Sequence, residues 1–106
     1  MKKILLTVIL SFFSFVIWAN DSGTCGNNLN WNYDDETLTI SGSGEMIDFQ
    51  EDGNNCPWNK YKKNISFVVL GNNVTSIGNY AFSQCAQLIY INFPDGLTSI
   101  TEYFKY

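Results

Sequence analysis

Apolar and polar positions alternate in the first clearly patterned stretch of the chain. Between residues 27 and 47, Leu29, Trp31 and Tyr33 alternate with Asn30 and Asn32, and Leu38 and Ile40 alternate beyond Asp34-Asp35-Glu36. A period of two sends successive side chains to opposite faces of a strand, so this segment predicts a β-hairpin with its turn at the acidic triplet. Ser41-Gly42-Ser43-Gly44 lets the chain bend, and Met46-Ile47-Asp48-Phe49 resumes a short apolar segment. Residues 50–57 are rich in turn formers and predict an exposed loop tied down by Trp58 and Cys56. Trp58 and Tyr61 are the expected core anchors.

From residue 65 onward the pattern repeats. Thr75-Ser76-Ile77 recurs as Thr98-Ser99-Ile100, a shift of 23. The same shift carries Ile65 onto Leu88, Val68 onto Ile91, Leu70 onto Phe93, Val74 onto Leu97 and Tyr80 onto Tyr103. A fixed period of this length is the signature of a solenoid, in which each unit buries its apolar edge against a neighbour and equivalent strands lie parallel. Ile65, Val68 and Leu70, with Leu88, Ile91 and Phe93, are then the inward positions. Ser66, Phe67 and Val69, with Ile89, Tyr90 and Asn92, point outward. Phe67, Val69, Tyr90 and Asn92 therefore form the candidate ligand-binding strand face, on which Phe67 and Tyr90 are neighbours. The same pair also serves simply to stabilise adjacent strands, or to be covered by the upstream hairpin. In this register Ile91→Asp should disrupt the repeat region and Asn92→Asp should be tolerated.

The other end of the chain is patterned for export. Lys2 and Lys3 precede an apolar run over residues 4–18, followed by Ala19 and the polar Asn20-Asp21-Ser22-Gly23. This order of charge, apolar run and small residue predicts a secretory signal peptide over 1–19, with no stable membrane span once it is removed. An exported chain meets oxidising conditions, so Cys25 and Cys56 are candidate disulfide partners and Cys85 is expected to be a small buried apolar residue. In a eukaryotic host, Asn64-Ile65-Ser66 and Asn73-Val74-Thr75 make Asn64 and Asn73 glycosylation candidates.

Composition narrows the chemistry. The 106 residues include six lysines, no arginine, no histidine and ten acids, for a net charge of −4. A chain so poor in cations lacks what phosphate binding requires, which argues against nucleic acid as a partner. Without histidine there is neither the commonest general base nor the usual catalytic zinc ligand, and no cofactor or metal is expected. Asp48-x-Gln50-x-Asp52-Gly53 begins like a calcium loop, but the position of its bidentate glutamate is Asn59. Gly42-x-Gly44 has Ile47 where a dinucleotide fingerprint needs its third glycine. Asp34, Asp35 and Glu36 splay apart in a tight turn, so a small secreted hydrolase is a remote alternative.

The 23-residue period, with Ile77-Gly78-x-x-Ala81-Phe82-x-x-Cys85 after the strand, resembles the leucine-rich repeat of BspA-like surface proteins. The upstream segments Ser22-Gly23-Thr24-Cys25-Gly26, Leu29-x-Trp31, Leu38-Thr39-Ile40-Ser41-Gly42-x-Gly44-x-Met46 and Pro57-Trp58 are similar to the region preceding the first repeat in such proteins. The second unit departs from the pattern, with Thr101 in place of glycine and Phe104-Lys105 in place of Ala-Phe. The resemblance implies a mainly β fold, an N-terminal β-hairpin segment over 20–64 capping a short, truncated repeat solenoid over 65–106. It implies a non-enzymatic protein, secreted or at the cell surface, that adheres to or recognises an extracellular protein or host matrix component. The incomplete second unit also leaves open self-association through the open repeat end, or a repeat-protein remnant with no binding function of its own.

Overall fold

The computed structural model describes residues 20–98, so the signal-peptide segment and the repeat positions from Ser99 to Tyr106 lie outside the described residues. The described residues form a mainly β domain of short strands. These are β1 (Asn20–Thr24), β2 (Leu29–Asp34), β3 (Thr37–Gly42), β4 (Gly44–Glu45), β5 (Phe67–Leu70), β6 (Val74–Ser76) and β7 (Tyr90–Ile91), with a 3-10 helix at Asn59–Asn64 between β4 and β5. Five strands make one sheet in the order β1-β2-β3-β5-β7, and β4 pairs with β6 in a second.

β1, β2 and β3 run antiparallel, with Trp31 opposite Gly23 on one side and Ile40 on the other. The turn between β2 and β3 is Asp35-Glu36, both at positive φ (52° and 66°). Such a two-residue turn matches the right-handed twist of its strands, at some backbone strain for a glutamate. Gly23 is required by its partner, because a Cβ there would lie 2.8 Å from the Trp31 Nε1.

From β3 onward the sheet is parallel, and two offsets govern it. β5 pairs with β7 as Phe67 against Tyr90 and Val68 against Ile91, the 23-residue period of the sequence. β3 pairs with β5 as Thr37 against Phe67 and Leu38 against Val68, an offset of 30. β4 meets β6 at the same offset, Gly44 against Val74, and the Phe49 amide donates to the Asn79 carbonyl. Residues 37–49 thus stand beside 67–79 as one repeat turn stands beside the next.

The core lies on one face of the large sheet. Leu29, Trp31, Tyr33, Leu38, Ile40, Val68 and Leu70 point into it, and Trp58, Phe49, Ile65, Val74, Ile77, Ala81 and Phe82 close it from the other side. Trp58 is fully buried and meets Phe49, Trp31 and Phe82 at centroid distances of 5.2, 6.0 and 6.2 Å. Its indole N–H donates to the Ala81 carbonyl at 2.9 Å. Tyr61 stacks on Tyr33 at 4.1 Å, and its hydroxyl donates to the Asp21 carboxylate at 2.9 Å, tying β1 to the 3-10 helix. Lys62 is buried; its ammonium donates to the Tyr80 carbonyl (3.1 Å) and the Ser83 hydroxyl (3.2 Å).

Two expected orientations are corrected. Ser66, expected outward, is buried, and its hydroxyl donates to the Glu36 carboxylate at 2.9 Å. The strand proper starts at Phe67, and Ser66 tucks beneath the β2–β3 turn, its amide donating to the Glu36 carbonyl. Phe93, expected inward, is 51% exposed. β7 ends at Ile91, and Asn92 then spends its side chain on β5 in a segment leading to Pro94, so strand parity does not continue to Phe93.

Gly78 explains one letter of the repeat motif, since a Cβ there would drive into the carbonyl oxygen of Ile47. Backbone meets backbone at that point, and no side-chain rotation relieves it. Gly78→Ala should therefore lower stability by about 1–3 kcal/mol as an overpacking change. Gly96→Ala, whose Cβ would meet only Asn72 O at 3.5 Å, should stay within about 0.5 kcal/mol of the parent. Thermal unfolding followed by circular dichroism separates the two, and equal melting temperatures would contradict the close packing of 47 against 78.

Candidate functional site

The face of the large sheet opposite the core is built by the same alternation that builds the core. Leu38 and Val68 are in register and buried, so Thr37 and Phe67, one residue earlier, share the outer face, as do Thr39 and Val69 one residue later. Tyr90 continues the first row beside Phe67. Phe67 is 39% exposed, Val69 40% and Tyr90 53%. Neighbouring strands lie about 4.8 Å apart, so the two aromatic residues stand side by side on this face.

Asn92, the fourth predicted residue, has a different occupation. Its Oδ1 accepts from the Leu70 amide at 2.6 Å and its Nδ2 donates to the Leu70 carbonyl at 2.8 Å. The side-chain amide thus pairs with β5 as a backbone peptide would, extending the ladder one step past β7. Asn92→Asp would place a carboxylate against the Leu70 carbonyl, so the expected tolerance at this position does not hold. Three of the four residues present open side chains, and the fourth fixes the strand that carries Tyr90.

Sequence reasoning missed the rest of this face. Asn32 lies opposite Thr39, and Asn30 opposite Ser41, which extends the outer surface from the repeats across the N-terminal strands. The alternation of Asn30 and Asn32 with core residues was legible; that these strands are continuous with β5 and β7 required the pairing order.

A cleft of about 410 Å³ runs beside the β4–β6 pair, lined by Glu45, Met46, Asp48, Ser76, Ile77, Asn79 and Thr98. Asp48 Oδ1 already accepts from the Asn79 amide at 2.9 Å. Asp52 likewise accepts from the Asn54 backbone and side chain, so the oxygens of the calcium-like segment are turned onto amides. Among the described residues no group of histidine, cysteine and carboxylate side chains is placed to hold a metal ion.

Cys25, Cys56 and Cys85 are free thiols; the first two are buried and Cys85 is half-buried. Asn64 and Asn73 are both exposed, whereas Ser66 of the first sequon is closed off by Glu36. Burial pushes the Cys25 thiol up to about 12, with a further contribution from the neighbouring Cys56. Burial also raises Cys85 to about 11, against the opposing pull of the Lys62 ammonium.

Strand order, core and outer face together define a repeat scaffold that presents a sheet surface. Residues 59–105 match a family model whose description is a BspA type leucine rich repeat region of six copies. The crystal structure of a leucine-rich repeat protein from Eubacterium ventriosum is similar at 32% identity and a TM-score of 0.71, over 79% of this chain and 23% of that one. Residues 59–105 thus belong to the BspA-type leucine-rich-repeat family, and the chain spans about a quarter of the length of the Eubacterium ventriosum relative. No curated protein matches it. The matched family and fold are consistent with a non-enzymatic scaffold and with protein–protein interaction. Among the described residues no helix is long and apolar enough to cross a membrane.

The raised thiols set an alkaline limit on the reduced protein. The folded state keeps the Cys25 and Cys85 protons up to about 12 and about 11, while the unfolded chain gives them up near 9.0. Above that lower value the folded state holds more protons than the unfolded one, so stability falls as pH rises. Urea unfolding in a reducing buffer should show a constant midpoint below pH ~9 and a steady decline above it. Cys25→Ala combined with Cys85→Ala should flatten that decline; an unchanged slope would rule the thiols out as its cause.

Proposed function

We propose that this chain is a secreted or cell-surface adhesion module that recognises an extracellular protein or host matrix component through the outer face of its large sheet. In this reading residues 1–19 are a leader removed on export, 20–64 cap the array, and 65–106 form one complete and one partial repeat. Phe67 and Tyr90, with Val69 beside them, supply the anchors, and Asn92 positions the strand beneath Tyr90. The observation that carries the reading is the exposure of two aromatic rings in register on neighbouring parallel strands, because exposed aromatic side chains concentrate binding energy at recognition surfaces.

Export makes a Cys25–Cys56 bridge part of the same proposal. Both residues belong to one core cluster, and a bond closing a loop of some 30 residues would stabilise the cap by about 3–4 kcal/mol. Asn64 and Asn73 would carry glycans in a eukaryotic host, and the exposure of both side chains favours this.

The binding reading is tested by adhesion of the purified protein to immobilised basement-membrane matrix. Phe67→Ser and Tyr90→Ser should each weaken adhesion by about tenfold or more, with melting temperatures close to that of the parent because neither ring is part of the core. Adhesion unchanged in both variants would overturn the assignment of the face.

A further inference from the structure

The outer face has a chemistry unlike the rest of this acidic chain. In the row beside the aromatics, Ser22, Asn32, Thr39 and Val69 follow one another across four strands. The next row runs Thr24, Asn30 and Ser41. No lysine stands in these rows or in the row of Phe67 and Tyr90, and the one acid is Asp34, opposite Thr37 beside the turn. The amides of Asn30 and Asn32 are exposed and make no hydrogen bond to protein among the described residues. A broad face of a protein with net charge −4 is thus neutral, aromatic at one side and furnished with free amides and hydroxyls at the other.

We propose that this face binds an uncharged oligosaccharide. The inference rests on the reading of the same face as a recognition surface and names its ligand class. Each amide offers donors and an acceptor together, and each hydroxyl does both, which is the pattern a sugar presents at nearly every ring carbon. Phe67 and Tyr90 offer flat apolar rings against which the C–H face of a pyranose can lie, with the Tyr90 hydroxyl as a polar tip. Within a row, neighbouring side chains stand one strand spacing of about 4.8 Å apart, comparable to the length of one hexose in an extended chain. A polyanionic partner finds no cation to pair with in these rows. On a glycosylated matrix protein, the polypeptide surface would have to match each amide and hydroxyl or leave it unpaired at a cost, whereas the hydroxyls of a glycan meet them directly.

Titration calorimetry of the purified protein with cello-, chito- and manno-oligosaccharides, with a heparin oligosaccharide as the polyanionic comparison, tests the assignment. At least one neutral oligosaccharide should bind with Kd below about 1 mM, with little change between about 0.05 and 0.5 M NaCl. It should shift the side-chain amide resonances of Asn30 and Asn32. Asn32→Ala and Tyr90→Ala should each weaken it by about tenfold, while Gln87→Ala, exposed and off this face, leaves it unchanged. Binding to none of the neutral oligosaccharides, or to heparin alone, overturns the proposal. The immobilised matrix assayed before and after enzymatic deglycosylation separates the two levels of the argument. Adhesion that survives deglycosylation yet is lost in Tyr90→Ala overturns the sugar while keeping the face, and adhesion indifferent to Tyr90→Ala overturns the face itself.

Discussion

The burial of Trp58 is the constraint on which the rest of the molecule depends. A tryptophan is large and carries one donor, so enclosing it is favourable where apolar surface and an acceptor coincide. Here the acceptor is the Ala81 carbonyl in the first repeat, and the apolar surface comes from Trp31 on β2, Phe49 before the loop and Phe82 after the strand. One side chain thus joins the N-terminal strands, the connecting loop and the repeat. The 3-10 helix that follows is then placed to stack Tyr61 on Tyr33 and to send the Lys62 ammonium to the turn at Tyr80 and Ser83. Residues 58 and 81 are themselves 23 apart in sequence, one period of the repeat.

That arrangement also explains why one face of the sheet is left open. Because the whole apolar contribution of Leu38, Ile40, Val68 and Leu70 is spent on the Trp58 side, the alternate residues are free of structural duty. An antiparallel sheet with one solvated face is commonplace, but parallel strands are usually covered on both faces. Here β5 and β7 leave one side open, and it is there that large apolar side chains face solvent. The departure from the usual covering is what makes Phe67 and Tyr90 informative, since exposed aromatics on a parallel ladder answer no need of the core.

The sequence was legible wherever a period was maintained. Leu29, Trp31 and Tyr33 alternate without interruption, and the antiparallel β2–β3 pairing follows; the shift of 23 reappears as the pairing of Phe67 with Tyr90. The offset of 30 between β3 and β5 was hidden, because the loop before Trp58 lengthens the period by seven residues and breaks the self-similarity that a fixed shift detects. Residues 37–49 therefore read as part of a hairpin segment, although they sit beside 67–79 as a repeat turn does. Ser66 and Phe93 were misplaced for a related reason: Ser66 lies one residue before β5 and Phe93 two residues past β7, where parity holds in the sequence pattern but the backbone has already turned. Asn92 was misread because a polar residue at an outward position gives no sign that its amide will act as a surrogate peptide.

The same details grade the stability of the sheet along its length. Leu70 is buried within β5, Ile91 on β7 is half-buried, and Phe93 beyond it is exposed. β7 is held by a two-residue ladder and by the Asn92 amide on Leu70, a small set of bonds for a strand that presents the most exposed aromatic of the face. Local opening draws on regions with few buried contacts, so β7 is the strand where order is least costly to lose. A ligand lying across Phe67 and Tyr90, as proposed, would span β5 and β7 and oppose that opening, since separating the strands would also break its contacts. Binding and the ordering of β7 would then be one equilibrium: whatever stabilised β7 against β5 would raise affinity, and ligand would raise the stability of β7 by the same amount.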